Sequence, residues 1–432
     1  MNADTTGAGA PDRDPEERVE SPGTRAEPGA RAGQGARPWN RGVLRSFNER
    51  VLLDALRAAG TTSRAELART TGLSKPTVSA ALANLERAGL VRQTGEMSRG
   101  LGRGRAAVLY EADPTAGHVI GIDVGRGWLR AAAADLDGRV VGRRDAANTA
   151  RTAGAMVHAA AELARAVAAE AGLDWSRVVH TVVGSPGVTD PGTHRVRYAV
   201  NLPGWGRSDL FDRLRAELGT GLDVVNDANL AALGEYAVGA GQGSRLFAYL
   251  WIGTGLGAGL VADGKVFRGG HGAAGEIGYL PMFPLPVDGE PPAPGSARGG
   301  PLEGAVSADA VVRLAHAMGM RADLVATAKD VFAAARAGDA VAVRVVDHEA
   351  ARLAHAVAAL AAVIDPELVV IGGAVGRNGD LLLAPIRTHL RDLTPLRPRV
   401  VASALGDDAV LLGAIATAAE TARDHVFDTR QG

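Results

Sequence analysis

The chain has 432 residues, 46% of them apolar and 22% charged, and it contains no cysteine. That length supports two or three domains with their own cores, and the missing cysteines exclude disulfides and cysteine-ligated zinc. No apolar run reaches the length of a bilayer-spanning helix and no basic-then-apolar signal pattern opens the chain, so a cytoplasmic protein is expected. The net charge of −1 conceals an asymmetry: the first 110 residues carry +5 and the remainder −6. A basic front on an acidic body points to a polyanion as the front's partner.

Residues 1–38 are Gly, Ala, Pro, Arg and Asp/Glu with almost no large apolar groups. Such a segment cannot bury enough surface to offset its ordering entropy, so it is expected to be disordered. From Leu44 onward, Phe47, Val51, Leu52, Ala55 and Leu56 recur at helical spacing until Gly60. Ser63-Arg64-Ala65-Glu66 reads as a capping box opening a second helix that runs to about Thr70. After the turn Thr71-Gly72-Leu73, Ser74 caps a third helix with Pro76 in its first turn, where a missing N–H costs little. Val78, Leu82 and Leu85 form the buried stripe of that helix, and Gly89 ends it.

Two short strands, Leu90–Arg92 and Ala107–Tyr110, then flank the basic loop Gly100–Arg105. Helix, helix, glycine turn, helix and basic hairpin describe a winged helix-turn-helix over residues 39–112. Ser74, Lys75, Thr77 and Ser79 are polar and sit near the start of the third helix, where side chains meet phosphates and base edges. Arg99, Arg103 and Arg105 on the wing would reach phosphates or the minor groove. A protein-interaction module with a solvated basic face is the alternative. Caps, spacing, charge and wing together favour double-stranded DNA.

Residues 113–428 change character. The buried strand Val119–Val124 runs into Gly125, and Asp135-Leu136-Asp137-Gly138 is a hairpin turn between Leu129–Ala134 and Arg139–Val141. A helix is expected at 152–171, and strands at Arg177–Val183, Leu222–Val225, Arg245–Ile252 and Leu368–Ile371. Strands ending in glycine loops and alternating with Ala-rich helices indicate an α/β protein. The turns Ile122-Asp123-Val124-Gly125 and Ile252-Gly253-Thr254-Gly255 each lead from strand to strand, which argues against a Rossmann or Walker loop, since both of those open a helix.

The segment Leu250–Tyr279, LWIGTGLGAGLVADGKVFRGGHGAAGEIGY, resembles the signature of the ROK family (repressors, open reading frames and sugar kinases). The resemblance runs over about residues 44–425. It implies a winged helix-turn-helix followed by a two-lobed actin/hexokinase-like (ribonuclease H-like) ATPase fold. It also implies a homodimer or homotetramer, whose paired recognition helices match palindromic half-sites.

Residue by residue, the match places a catalytic-base position at Asp227 within Asn226-Asp227-Ala228-Asn229. It places phosphate-loop positions at Asp123, Gly125, Gly253, Thr254, Gly255 and Gly257, and an adenosine-side motif at Ile371-Gly372-Gly373. Asn201, Asn226, Asp227, Glu276, Tyr279 and Glu303 are the implied contacts of a sugar or sugar phosphate; carboxylates and amides suit hydroxyls that both donate and accept. Trp205 is read as core, and His271 as a hydrogen-bonding turn residue.

The departures are as informative. Kinases of the family resemble Asp-x-Gly-Gly-Thr at the first phosphate loop, and here Arg126 takes the second glycine's place. In relatives, a histidine after Glu-x-Gly and three downstream cysteines hold zinc. Here Tyr279 stands in the histidine's place, and the replacement stretch Leu280–Gly300 is proline-rich. The expectation is a non-catalytic sugar sensor with no metal and no ATP, in which Asp227 is a vestigial base: a repressor of carbohydrate metabolism genes. An active ROK sugar kinase with a DNA-binding head, and a ligand-blind regulator using the domain as a dimerisation scaffold, are the competing readings.

Overall fold

In a computed structural model of the chain, residues 41–98, 107–281 (except 191, 192, 194, 198, 200, 201 and 203) and 300–431 are described. The expected disordered tail, Arg99, Arg103 and Arg105 of the wing, Asn201, and most of the proline-rich stretch lie outside the described residues.

The N-terminal head comprises α1 (Arg41–Ala59), β1 (Thr62–Ser63), α2 (Arg64–Thr71), α3 (Lys75–Arg87), β2 (Val91–Ser98) and β3 (Ala107–Ala112). The buried face of α1 is Leu52, Leu53 and Leu56 with Glu49, whereas Leu44 and Phe47 are exposed. Leu52 and Leu56 of the expected stripe are thus buried and Ala55 packs beside them, whereas its first two members, Leu44 and Phe47, fall outside the buried face. Only half of the expected capping box forms. Ser63 Oγ accepts from the Glu66 N–H at 3.3 Å, but the Glu66 carboxylate turns to Arg69 instead. Ser74 does cap α3, accepting from the Thr77 N–H, with Pro76 in the first turn. β1 pairs with β3, making a three-stranded sheet of order β1-β3-β2. A two-residue strand has no periodicity to read, so the sequence showed only the wing hairpin.

The first lobe follows: β4 (His118–Val124), β5 (Trp128–Asp135), β6 (Val140–Ala147), α4 (Ala153–Glu170), β7 (Val178–Ser185), β8 (Val188–Asp190), β9 (Arg195–Arg197), α5 (Leu210–Leu218) and β10 (Gly221–Asn226). α6 (Asp227–Val238) then leads to the second lobe. There β11 (Leu246–Ile252), β12 (Leu256–Ala262) and β13 (Lys265–Val266) precede α7 (Pro301–Val306), α8 (Ala308–Ala317), α9 (Ala328–Arg336) and α10 (Ala340–Ile364). β14 (Leu368–Gly372), α11 (Gly373–Gly376), α12 (Gly379–Leu393), β15 (Arg399–Ala402) and α13 (Ala409–Gln431) complete the described chain.

The two five-stranded sheets repeat one topology. The first runs β6-β5-β4-β7-β10 and the second β13-β12-β11-β14-β15. In each, three antiparallel strands joined by hairpins are extended by two parallel strands. Both glycine turns singled out in the sequence are the first hairpins of their sheets. The outer face of the first sheet is covered by α4 and α5, and that of the second by α8, α9, α10 and α12.

The inner faces meet through α6 and α13, which cross at Gly234 and Gly413. A Cβ on Gly413 would collide with the Leu230 carbonyl oxygen, and one on Gly234 with the Ala409 carbonyl oxygen. The backbones are therefore nearly in contact, and no side chain fits between them. A continuous buried cluster runs from Leu52, Leu82 and Tyr110 in the head, through Ala418, Ala422 and Phe427 of α13, to Phe247 and Val370 of the second sheet. The last turns of α13 also bind the head directly. Arg430 donates to the carbonyls of Ala88 and Gly89 at 3.1 Å and to that of Ala116. Arg50 of α1 pairs with Asp424 at 2.5 Å and Asp428 at 2.8 Å and covers the Phe427 ring.

The crossing gives a direct test. Gly413→Val is expected to lower stability by roughly 1–3 kcal/mol or more, the usual cost of overpacking, read as a drop in the urea midpoint. Gly270→Ala, where an added Cβ meets nothing within 4 Å, should change it by less than about 0.5 kcal/mol.

Candidate functional site

Between the lobes lies a cavity of about 260 Å³. Its walls come from strand ends and glycine loops of both sheets: Asp123, Gly125, Arg126 and Arg130 from the first hairpin, and Pro186 and Gly187 after β7. Asn226, Asp227 and Asn229 contribute at the start of α6, and Thr254, Gly255 and Gly257 in the second hairpin. Glu276, Tyr279 and Glu303 close it from the second lobe. The structure thus gathers Asn226, Asp227, Glu276, Tyr279, Glu303, Asp123, Gly125, Thr254, Gly255 and Gly257 around one space. Gly253, Gly372 and Gly373 are not among its lining residues. Gly373, at φ +81°, instead lies against the Ile252 backbone, and Gly372 lies over the Tyr249 hydroxyl.

The sequence explains the position of Asp227. β10 ends at Asn226, whose side chain caps α6 by accepting from the Asn229 N–H at 3.0 Å and donates to the Gly187 carbonyl at 3.1 Å. Asn226 is therefore a brace as well as a lining residue, each end of its amide making one bond to the protein. Asp227, the first residue of the helix, is aimed into the cavity. Protein encloses it on most sides, and this burial, with the charges of Asp123 and Glu276 adding to it, pushes its carboxyl up to about 7. A hydrogen bond from the Ala228 N–H opposes the rise. Glu276 and Glu303 are raised too, both mainly by burial, and Glu276 also by Glu303. Glu303 is fixed by the Leu256 N–H at 2.9 Å.

In the sequence Asn229 stands only as the last residue of its motif. Its Oδ1 is buried with no hydrogen-bond partner and lies at the cavity wall. Its place three residues after the cap was the available signal. Trp205 is fully buried, and its indole N–H donates to Ser185 Oγ at 2.7 Å. That bond steadies the Ser185–Gly187 loop and confirms the core reading of Trp205. His271 is exposed.

At the first hairpin, Asp123 and Arg130 face each other across β4 and β5 and pair at 3.0 Å. Arg130 also reaches Asp145 at 3.5 Å. The phosphate-loop carboxylate that the resemblance implies is thus paired within the chain, and burial raises it above the usual carboxylate range. The chain has no cysteine, and the described residues contain no group of three His, Cys, Asp or Glu side chains able to hold a metal.

Residues 119–421 match the ROK family, a span of more than two thirds of the chain. The chain belongs to the ROK family. Residues 46–103, the head, match the MarR family. A glucokinase from Halalkalibacterium halodurans is 36% identical over 313 residues, covering 68% of this chain and 92% of the relative. A xylose repressor from Caldicellulosiruptor bescii is 26% identical over 394 residues, covering 87% of this chain and 96% of the relative. A solved ROK family transcriptional regulator, a homologue of the E. coli MLC protein, superposes with TM-score 0.73 at 23% identity, over 90% of this chain and 99% of that one. That fold is the winged helix joined to the two-lobed ROK domain.

On the head, Ser74, Lys75 and Ser79 are exposed and Thr77 half-buried at the start of α3. The Ser74 and Thr77 hydroxyls lie 2.8 Å apart and bond each other. Lys75 forms no ion pair among the described residues. No helix among the described residues is long and apolar enough to cross a membrane.

The raised Asp227 carboxyl makes stability depend on pH. The unfolded chain loses this proton above about 3.8, while the folded state holds it to about 7. Folding therefore takes up a proton in that window, and raising the pH through it costs stability. Relative to Asp227→Asn, the native chain should lose stability between pH 5 and 7 and level off above 7, as measured by urea unfolding. Parallel profiles for the two proteins would show that Asp227 is not perturbed.

Proposed function

We propose that this ROK protein is a sugar-responsive DNA-binding repressor of carbohydrate-metabolism genes, in which the ROK domain senses its ligand without phosphorylating it. The observation that carries the reading is the course of α13. Val410 in its first turn lines the cavity, and Arg430 in its last turn binds the head. At 1.5 Å per residue the helix spans about 34 Å. A ligand that draws the lobes together acts on α6 and α13 at their crossing, and the far end of α13 carries the displacement to the recognition helix. This requires the ligand to bind the two lobe arrangements with different affinity.

The relatives fit this reading. The xylose repressor aligns over head and ROK domain together, whereas the glucokinase match covers 68% of this chain. A homodimer or homotetramer would set two α3 helices on palindromic half-sites. Lys75 and the α3 N-terminus would meet phosphates, Ser79 a base edge.

A second reading, sugar phosphorylation, has one observation in its favour. Asp227 stands at the cavity wall with its carboxyl near 7, a value suited to a general base, and the glucokinase relative has the higher identity. Against it stand Arg126 in place of the second loop glycine and Arg130 on Asp123. Transfer of radiolabelled phosphate from ATP to an aldose, lost in Asp227→Ala, would establish the kinase.

Under the sensor reading, Asp227→Ala keeps operator affinity within about twofold but no longer responds to sugar in a mobility-shift titration. Loss of DNA binding itself would contradict the division of labour. Lys75→Ala should weaken operator binding and reduce the salt slope by about one unit, the signature of one phosphate contact. Arg430→Ala should leave sugar binding by calorimetry unchanged while shrinking the sugar-induced change in operator affinity at least about fivefold, the lower end of ordinary coupling. Flat thermal-shift curves across a sugar panel would favour a ligand-blind scaffold.

A further inference from the structure

The cavity holds more cationic character than the recognition of hydroxyls needs. Arg130 is committed to Asp123 and Asp145. Arg126, in the turn after β4, lines the same cavity, is exposed to solvent, and has no hydrogen-bond or ion-pair partner among the described residues. The turn did not need an arginine to form. Gly125 closes the hairpin by accepting from and donating to neighbours through its backbone: its N–H donates to the Trp128 carbonyl at 2.9 Å and its carbonyl accepts from Asn148 at 2.7 Å. Gly127 beside it has open space around it.

A guanidinium offers five N–H donors in a planar fork that matches the oxygens of a phosphate or carboxylate. Asp227, Glu276 and Glu303 on the other walls suit hydroxyl groups. The lining is thus complementary to a molecule with hydroxyls along most of its length and one oxyanion. A nucleotide is disfavoured, because the Gly372-Gly373 turn is not part of the wall and Asp123 is already paired.

Resting on the sensor reading above, we propose that the effector is an anionic sugar, an aldose bearing a phosphate ester or a carboxylate, whose oxyanion is bound by Arg126. A neutral sugar would fill the hydroxyl-binding part and leave the guanidinium to solvent. Four carboxylates line the cavity, but the pair with Arg130 neutralises Asp123, and the other three are held toward their protonated forms by burial. The repulsion an anion would meet is reduced accordingly.

The test is calorimetric titration of the full-length protein with glucose, mannose, galactose, N-acetylglucosamine and xylose. Each is offered as the neutral sugar, as its terminal phosphate and, where it exists, as its aldonate, with inorganic phosphate as a further titrant. One sugar series should bind on the order of ten- to hundredfold more tightly in an anionic form, the range of a charge-assisted contact. Phosphate esters and aldonates tell the two oxyanion sources apart. Arg126→Gly, which restores a glycine in an exposed turn, should erase most of that ratio, and raising salt should weaken only the anionic ligand. Circular dichroism would verify that the variant is folded. Equal affinity for neutral and anionic forms, or a ratio unchanged in Arg126→Gly, overturns the proposal while leaving the sensor reading intact. Binding of no member of the panel overturns both, and binding of inorganic phosphate alone would show an anion site without sugar recognition.

Discussion

The structure depends on the near-contact of two helix backbones. At Gly234 and Gly413 the helices α6 and α13 approach so closely that neither position can carry a side chain. α6 presents Asp227 to the cavity at its first residue and packs on the second sheet. α13 packs on the first sheet and ends in the head. Interfaces packed this tightly shift between discrete arrangements and do not deform smoothly. Under the proposed function, a change in lobe angle would be passed along α13 and not absorbed in soft side chains.

Much of this was legible in the sequence. The α3 cap at Ser74, the glycine turns that lead strand to strand, and the gathering of Asp227, Glu276, Glu303 and Tyr279 around one cavity all follow from local chemistry or from motif order. The shortfalls have physical reasons. Leu44 and Phe47 fell on the exposed side of α1 because the apolar positions spread over more of the helix than the buried face of Leu52, Leu53 and Leu56 covers. Glu66 preferred Arg69 one turn away to the orphan N–H at the helix start. Asn226 was legible as a cavity residue by type, but not as the brace of the Gly187 loop and the cap of α6 that its amide also supplies. The crossing at Gly234 and Gly413 was invisible, because a glycine inside a helix announces close approach without naming what approaches.

The cavity's electrostatics unify the departures from a kinase. Arg130 neutralises Asp123 across the hairpin, Arg126 adds a cation where a glycine would admit a phosphate to the backbone, and Tyr279 replaces a metal ligand in a chain without cysteine. Under the proposed function, the two arginines lower the value of the site as a nucleotide cradle, and Tyr279 changes the sugar side. None touches the Asn226–Asp227 helix start or the Glu303–Leu256 hydrogen bond, which hold the acidic wall in place. The two arginines thus belong to the first hairpin, whereas Tyr279 closes the cavity beside Glu276 and Glu303.

The head and the ROK domain are separate in the sequence but not in the core. Leu52, Leu82 and Tyr110 share a continuous apolar cluster with Phe427 and Ala422, and Arg430 binds carbonyls on both sides of the junction. The joint at residues 112–118 is therefore a weld and not a tether. Exchanging heads between regulators of this kind by cutting at that joint would strand half of a core on each piece. A transplant that works must also carry the closing turns of the C-terminal helix, so the portable unit is discontinuous, drawn from both ends of the chain.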